Sequence, residues 1–196
     1  VTRRTQLAAA SCAVLVAAIV GAQSVYAAFS RTTSSAANSF SAGTVALGDN
    51  DGGSALLTLT SVTPGASDTG CIKVTYTGTL NATVRLYATV SGGLAPYLNL
   101  TVTRGTDSSP SFDSCAGFTA DGTDYLGSGA GVVYSGTLGG YPTSAAAAFL
   151  DPKTAAPATW STNTAHSYKF VVTLANDNAA QGLSATADFQ WEARNQ

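Results

Sequence analysis

The sequence predicts an all-β fold, an antiparallel sandwich of jelly-roll-like type, on three observations. Apolar and polar residues alternate in several windows, turn-forming residues separate those windows, and only 10% of the chain is charged. Alternation puts every second side chain on one face of a strand. The 27 Thr, 21 Ser and 20 Gly suit strands and turns, while a single Glu, Glu192, leaves little of the composition that helices draw on. With 196 residues the chain can bury one core without several disulfides or a metal.

The first 27 residues follow the logic of export. Arg3 and Arg4 make a positive start, Leu7 to Ala22 is uncharged and mostly apolar, and Val25-Tyr26-Ala27 suits the end of a signal segment. Cleavage is expected between Ala27 and Ala28, which makes the mature protein extracellular or surface-associated. The alternative is a retained anchor, since Leu7 to Ala28 is just long enough to cross a bilayer, though its Ala and Gly content makes it weakly apolar. Contact with the membrane is expected only through this uncleaved segment. Loss of Arg3 and Arg4 with no acid takes the formal charge from −2 to −4. No basic cluster exists that would recruit nucleic acid.

Seven strands are expected downstream. Ala42 to Leu47 and Leu56 to Val62 come first, with the turn Gly48-Asp-Asn-Asp-Gly-Gly53 between them. Three alternating stripes follow: Ile72, Val74 and Tyr76; Val84, Leu86, Ala88 and Val90; Leu98, Leu100 and Val102. Near the end come Tyr168, Phe170, Val172 and Leu174, and then Leu183, Ala185, Ala187, Phe189 and Trp191 opposite Ser184, Thr186, Asp188, Gln190 and Glu192. Half-buried faces of this kind require a second layer. Residues 107–164 form a loop-rich excursion with one short helical candidate, Ser144 to Leu150, and apolar residues too scattered to line a separate core. One domain is therefore expected over residues 38–196.

Cys12 leaves with the signal segment, so Cys71 and Cys115 remain as an even pair in an oxidising compartment. A bridge between them ties the excursion to the strand carrying Cys71; two separate buried thiols are the alternative.

Groups able to carry chemistry are few. His166 is the only histidine and stands at the lip of a strand, where an exposed or strand-capping role is expected. A two-histidine zinc motif cannot be built. Asp49-Asn50-Asp51-Gly52 is expected to make a tight turn rather than a calcium loop, because Thr60 stands where that loop needs Glu. Asp113, Asp121 and Asp124 would bind calcium only if the excursion brought them together. The glycosylation sequons at Asn81 and Asn99 fall in or beside strands and are read as chance matches. No cofactor is expected.

Ala28-Phe-Ser-Arg-Thr-Thr-Ser, Asn38-Ser-Phe-Ser-Ala-Gly-Thr-Val-Ala-Leu47, Thr63-Pro-Gly-Ala-Ser-Asp-Thr-Gly70 and Gln181-Gly-Leu-Ser-Ala-Thr-Ala-Asp-Phe-Gln-Trp-Glu-Ala193, in that order, resemble the TasA/camelysin family of secreted bacterial proteins. The resemblance covers residues 1 to about 104 and 166 to 193 and omits the excursion. It implies a jelly-roll domain, a dedicated signal peptidase as partner, and self-assembly into biofilm-matrix fibres by donation of the freed N-terminus to the next subunit. Within residues 28–37 the donor strand is then expected at Ala28, Phe29, Ser30, Arg31, Thr32, Thr33, Ser34 and Ser35, a segment free of Pro. A disordered leader is the alternative. A monomeric adhesin or carbohydrate-binding module, using Tyr125, Tyr134, Tyr141 and Trp160, is the competing function. The camelysin-type metalloendopeptidase activity carried by some relatives is expected to be absent, because one His and one Glu do not make a zinc site.

Overall fold

The computed structural model describes residues 42–59 and 63–196, of which Ala42–Gln196 is one compact unit. The signal segment, the cleavage site at Ala27 and Ala28, and the donor-strand candidate Ala28 to Ser35 lie outside the described residues.

The strands are β1 (Leu47–Asp49), β2 (Ser67–Tyr76), β3 (Ala82–Ser91), β4 (Leu98–Asp107), β5 (Phe118–Ala120), β6 (Val132–Thr137), β7 (Phe149–Leu150), β8 (Ala165–Leu174) and β9 (Thr186–Asn195). They form two antiparallel sheets. One has six strands in the order β1-β2-β8-β4-β5, with β6 also on β4; the other has three, β7-β3-β9. The β2–β3, β3–β4 and β8–β9 connections each pass from one sheet to the other, as a jelly-roll-like wrap requires. No helix among the described residues is long and apolar enough to cross a membrane.

Alternation is why these strands stack. On β2, Ile72, Val74 and Tyr76 point inward; on β3, Ala82, Val84, Leu86 and Ala88; on β4, Leu98, Leu100 and Val102; on β8, Tyr168, Phe170, Val172 and Leu174. Register keeps these stripes together, with Leu100 opposite Val172 and Val102 opposite Phe170. A slip of one residue would turn every one of these side chains to the other face. On β9, Phe189 and Trp191 pack on Phe170 and Tyr168 at centroid distances of 4.5 and 5.5 Å, but both remain only half-buried.

Several expectations need correction. Ala42 to Ala46 is not a strand, because it lies beside the turn after β2, where Thr44 exchanges bonds with Thr79 and Leu80; only Leu47–Asp49 meets a ladder. Leu56 to Leu59, the described part of the strand expected at 56–62, meets no partner strand among the described residues either. Two adjacent leucines break the alternation, Leu56, Leu57 and Leu59 pack on the core, and the Thr58 amide donates to the Asp68 carboxylate instead of a ladder. The Ser144-to-Leu150 helix is absent. Phe149–Leu150 pairs with Arg85 and Leu86 of β3, since so short a helix does not sustain itself against an edge that needs partners. The last strand starts at Thr186, leaving Leu183 exposed. The Asp49 turn forms as expected: the Asp51 amide donates to Asp49 Oδ1, the Gly53 amide donates to Asp51 Oδ1, and Gly52 and Gly53 take positive φ.

Cys71 and Cys115 are disulfide-bonded, the state at home in an oxidising compartment. The bridge spans 44 positions and joins β2 to the excursion. Replacing both cysteines by Ser should lower the unfolding free energy by up to about 4 kcal/mol, read from urea denaturation of the double variant against the parent.

Candidate functional site

Two features stand out: a buried ionic cluster holding the excursion, and a strand edge that nothing covers. The cluster grows from the same alternation as the core. One step beyond Val102 on the inward stripe of β4 is Arg104, and one step before Tyr168 on that of β8 is His166. Both face the interior at one end of the sandwich. Arg104 is 6% exposed and needs counter-charges, which the excursion supplies. Its Nε donates to Asp151 Oδ2 at 3.0 Å and lies 2.9 Å from Oδ1, while Nη1 pairs with Asp121. Trp160 Nε1 donates to Asp151 Oδ2 at 3.1 Å, and the Tyr125 hydroxyl donates to Asp121 Oδ2 at 2.8 Å.

The third partner of Arg104 is His166, whose Nε2 is 2.7 Å from Nη2. A guanidinium only donates, so Nε2 accepts and the imidazole is neutral, its proton on Nδ1. Burial first, and the Arg104 charge second, pull the His166 pKa from 6.5 down to about 4. Against the pull of burial, the Asp151 and Asp121 carboxylates hold Arg104 above its ordinary range. Burial pushes the Asp151 carboxyl up, partly offset by Arg104, and pushes the Tyr168 hydroxyl well up. The expectation of an exposed or strand-capping His166 is therefore corrected: it lies within β8, edge-on to Trp160 at 4.7 Å.

The aromatic residues considered for sugar stacking are placed the same way. Tyr134, Tyr141 and Trp160 are buried, with Tyr141 edge-on to Tyr134, Phe149 and Phe189, and Tyr125 is half-buried against Asp121. They pack the excursion onto the sandwich. Asp113, Asp121 and Asp124 do not converge. Asp113 exchanges backbone bonds with Cys71, Asp121 pairs with Arg104, and Asp124 accepts from the Leu126 and Ser128 amides. Among the described residues no group of three His, Cys, Asp or Glu is arranged to hold a metal ion.

The excursion also closes sheet edges. Along the flank of β3 away from β9, Ala82 exchanges two bonds with Trp160, Val84 accepts from the Asp151 amide, β7 pairs with Arg85 and Leu86, and the Ala88 amide donates to Pro142. The outer flank of β2 is closed from Cys71 to Tyr76, by Asp113 bonded to Cys71, by Asn50 Oδ1 accepting from the Lys73 amide, and by β1. β9 has no such cover. It pairs with β3 on one side, over all ten of its residues, and its other edge meets no strand among the described residues. Strands β1, β5, β6 and β7 also have an unclaimed edge, but each is shorter. Between β1 and β9 lies an open groove of about 320 Å³, lined by Leu47, Asp49, Val74, Phe189, Trp191 and Glu192 among others. Glu192 pairs with Arg194; Asp49 has no cationic partner among the described residues. The Trp191 indole N–H is shielded from water without an acceptor.

No protein-family model matches the chain, and no curated protein matches it in sequence.

Two outcomes check the cluster. Asp151→Asn, which leaves Arg104 short of its innermost counter-charge, should cost about 3–5 kcal/mol in urea denaturation. His166 takes up its proton at lower pH in the folded chain than in the unfolded one. Its contribution is thus complete above pH 6.5 and is lost as pH falls through about 4. His166→Gln, which keeps an acceptor for Arg104, should show a smaller fall in urea midpoint between pH 7 and pH 4.5 than the parent.

Proposed function

We propose that the protein is a secreted structural subunit of extracellular, biofilm-matrix fibres, in which the freed segment Ala28 to Ser35 of one copy pairs with the open edge of β9 in the next. The observation that carries this reading is the ten-residue edge of β9, uncovered among the described residues, beside flanks of β2 and β3 that are closed over most of their length. An unpaired strand edge presents a row of backbone donors and acceptors, and an extended peptide satisfies them by adding a strand. The half-burial of Phe189 and Trp191 supports the same reading, since a further strand outside β9 would complete their cover. Further support comes from the export signal, the disulfide and the resemblance to the TasA/camelysin family.

Assembly follows from the order of events. Before cleavage the segment is tied to the membrane by the residues ahead of Ala28; cleavage between Ala27 and Ala28 releases it. Because donor and acceptor are different surfaces, the contact is head-to-tail, a geometry that makes filaments whenever the rotation does not close a ring. No catalytic step is required.

Mature chains starting at Ala28 and at Asn38 should differ sharply in negative-stain images at equal concentration, with fibres from the first only. Equal fibre formation by both would remove strand donation from consideration.

A further inference from the structure

We propose that the groove between β1 and β9 recognises Phe29 and Arg31 of an incoming copy as a pair, with Phe29 seated on Leu47, Val74 and Trp191 and Arg31 bound to Asp49. This inference rests on the donated-strand reading above and names the contacts that set its register.

The argument starts from β1. Leu47 lies opposite Tyr76 and Asp49 opposite Val74. Directly opposed residues of an antiparallel pair point to the same face, and Val74 and Tyr76 are buried on the inner face. Leu47 and Asp49 therefore both face inward, toward the sheet that ends in β9. A carboxylate aimed into the seam between two sheets is unusual. The residue stays exposed at the mouth of the groove; partial burial raises its pKa, the Asp51 amide opposes the rise and the Asp51 carboxylate adds to it, and among the described residues the ion pair at the groove is taken by Glu192 and Arg194.

An inward-pointing charge at a sheet edge repels strands that bring an apolar side chain to that position. It admits a strand that brings a cation. Residues 28–35 contain one cation, Arg31, and one large apolar residue, Phe29. Their spacing of two puts both on one face of an extended strand, roughly 7 Å apart. Leu47 and Asp49 show the same spacing and the same order, apolar then charged. A segment running in the direction of β1 thus sets ring against leucine and guanidinium against carboxylate at once. A groove of about 320 Å³ seats a few side chains, which suits anchors of a strand whose backbone is held by β9. Arg is well matched to the task, since its fork can bond both oxygens of a carboxylate.

The test uses the mature chain from Ala28 with Arg31→Asp, with Asp49→Arg, and with both. Each single variant should raise the concentration needed for fibre formation, read by sedimentation and negative stain, by about thirtyfold or more, and the double variant should restore it. Mixing the two single variants should also restore fibres, of alternating copies, because each donor then finds an acceptor of opposite charge. That rescue shows that both variants fold and that the donor comes from a second copy. Single variants that assemble like the parent would overturn the pairing, as would a mixture that stays monomeric; a groove filled by the chain's own segment gives the latter result. The comparison of chains starting at Ala28 and Asn38 judges strand donation separately, so the two failures are distinguishable.

Discussion

The two sheets of the sandwich are unequal, six strands against three, and most of the structure answers that inequality. The inward faces of β2, β8 and β4 expose a broad apolar surface, while β3 and β9 supply only two long strands to cover it. Apolar surface left in water costs about 25 cal/mol per Å², so the remainder must be roofed by something other than a strand pair. On one flank the excursion does this. Phe149, Tyr141 and Trp160 descend from it into the core, and its backbone saturates the outer edge of β3. On the opposite flank nothing among the described residues does the same for β9. The asymmetry that makes the excursion necessary also leaves an edge available for a partner.

The excursion is held by a charge. Arg104 occupies a core position of β4, and Asp121 and Asp151, from two separate parts of the excursion, neutralise it. A buried ion pair contributes little net stability, because desolvation offsets much of the attraction. Its consequence is positional. The guanidinium bonds in fixed directions, so Asp121, Asp151 and His166 are each set against it at a defined point, where apolar packing alone would allow sliding. The same burial that holds the cluster together keeps His166 neutral, which couples the anchoring of the excursion to acidity. The disulfide from Cys71 to Cys115 fixes a third point, at the outer flank of β2.

Three attachments on the excursion side thus hold that segment against the outer edges of β2 and β3. Edges of this length are usually blunted, since they template association. The ten-residue outer edge of β9 carries half-covered aromatic residues and lies across the groove from Asp49. In the proposed assembly, cleavage next to a Pro-free segment would supply a strand for this edge only after export, which would confine assembly to the outside.

The strands were legible in the sequence over most of the unbroken alternation, the last stripe entering its strand only at Thr186. The stripes at Ile72 to Tyr76, Val84 to Val90, Leu98 to Val102 and Tyr168 to Leu174 all lie in strands with the expected face inward, because a period of two is a local property that a buried face enforces. The pairing of Cys71 with Cys115 follows from the even count that remains once Cys12 is assigned to the expected signal segment. The ionic cluster was half-legible: extending two stripes by one step reaches Arg104 and His166, but a charge at the end of a stripe looks like the point where the strand leaves the core. Asp151 and Trp160 carry no such signal, since nothing near them in the chain says that Asp151 will meet Arg104 of β4, 47 positions away, or that Trp160 will bond Ala82 of β3. The short strand at Phe149 was hidden for the same reason, as its partner lies on β3 and its own neighbours are helix-tolerant alanines. Which edges are closed, and which one stays open, is likewise a matter of contacts between distant segments. Local pattern decides which way a side chain faces; only the folded chain decides what it faces.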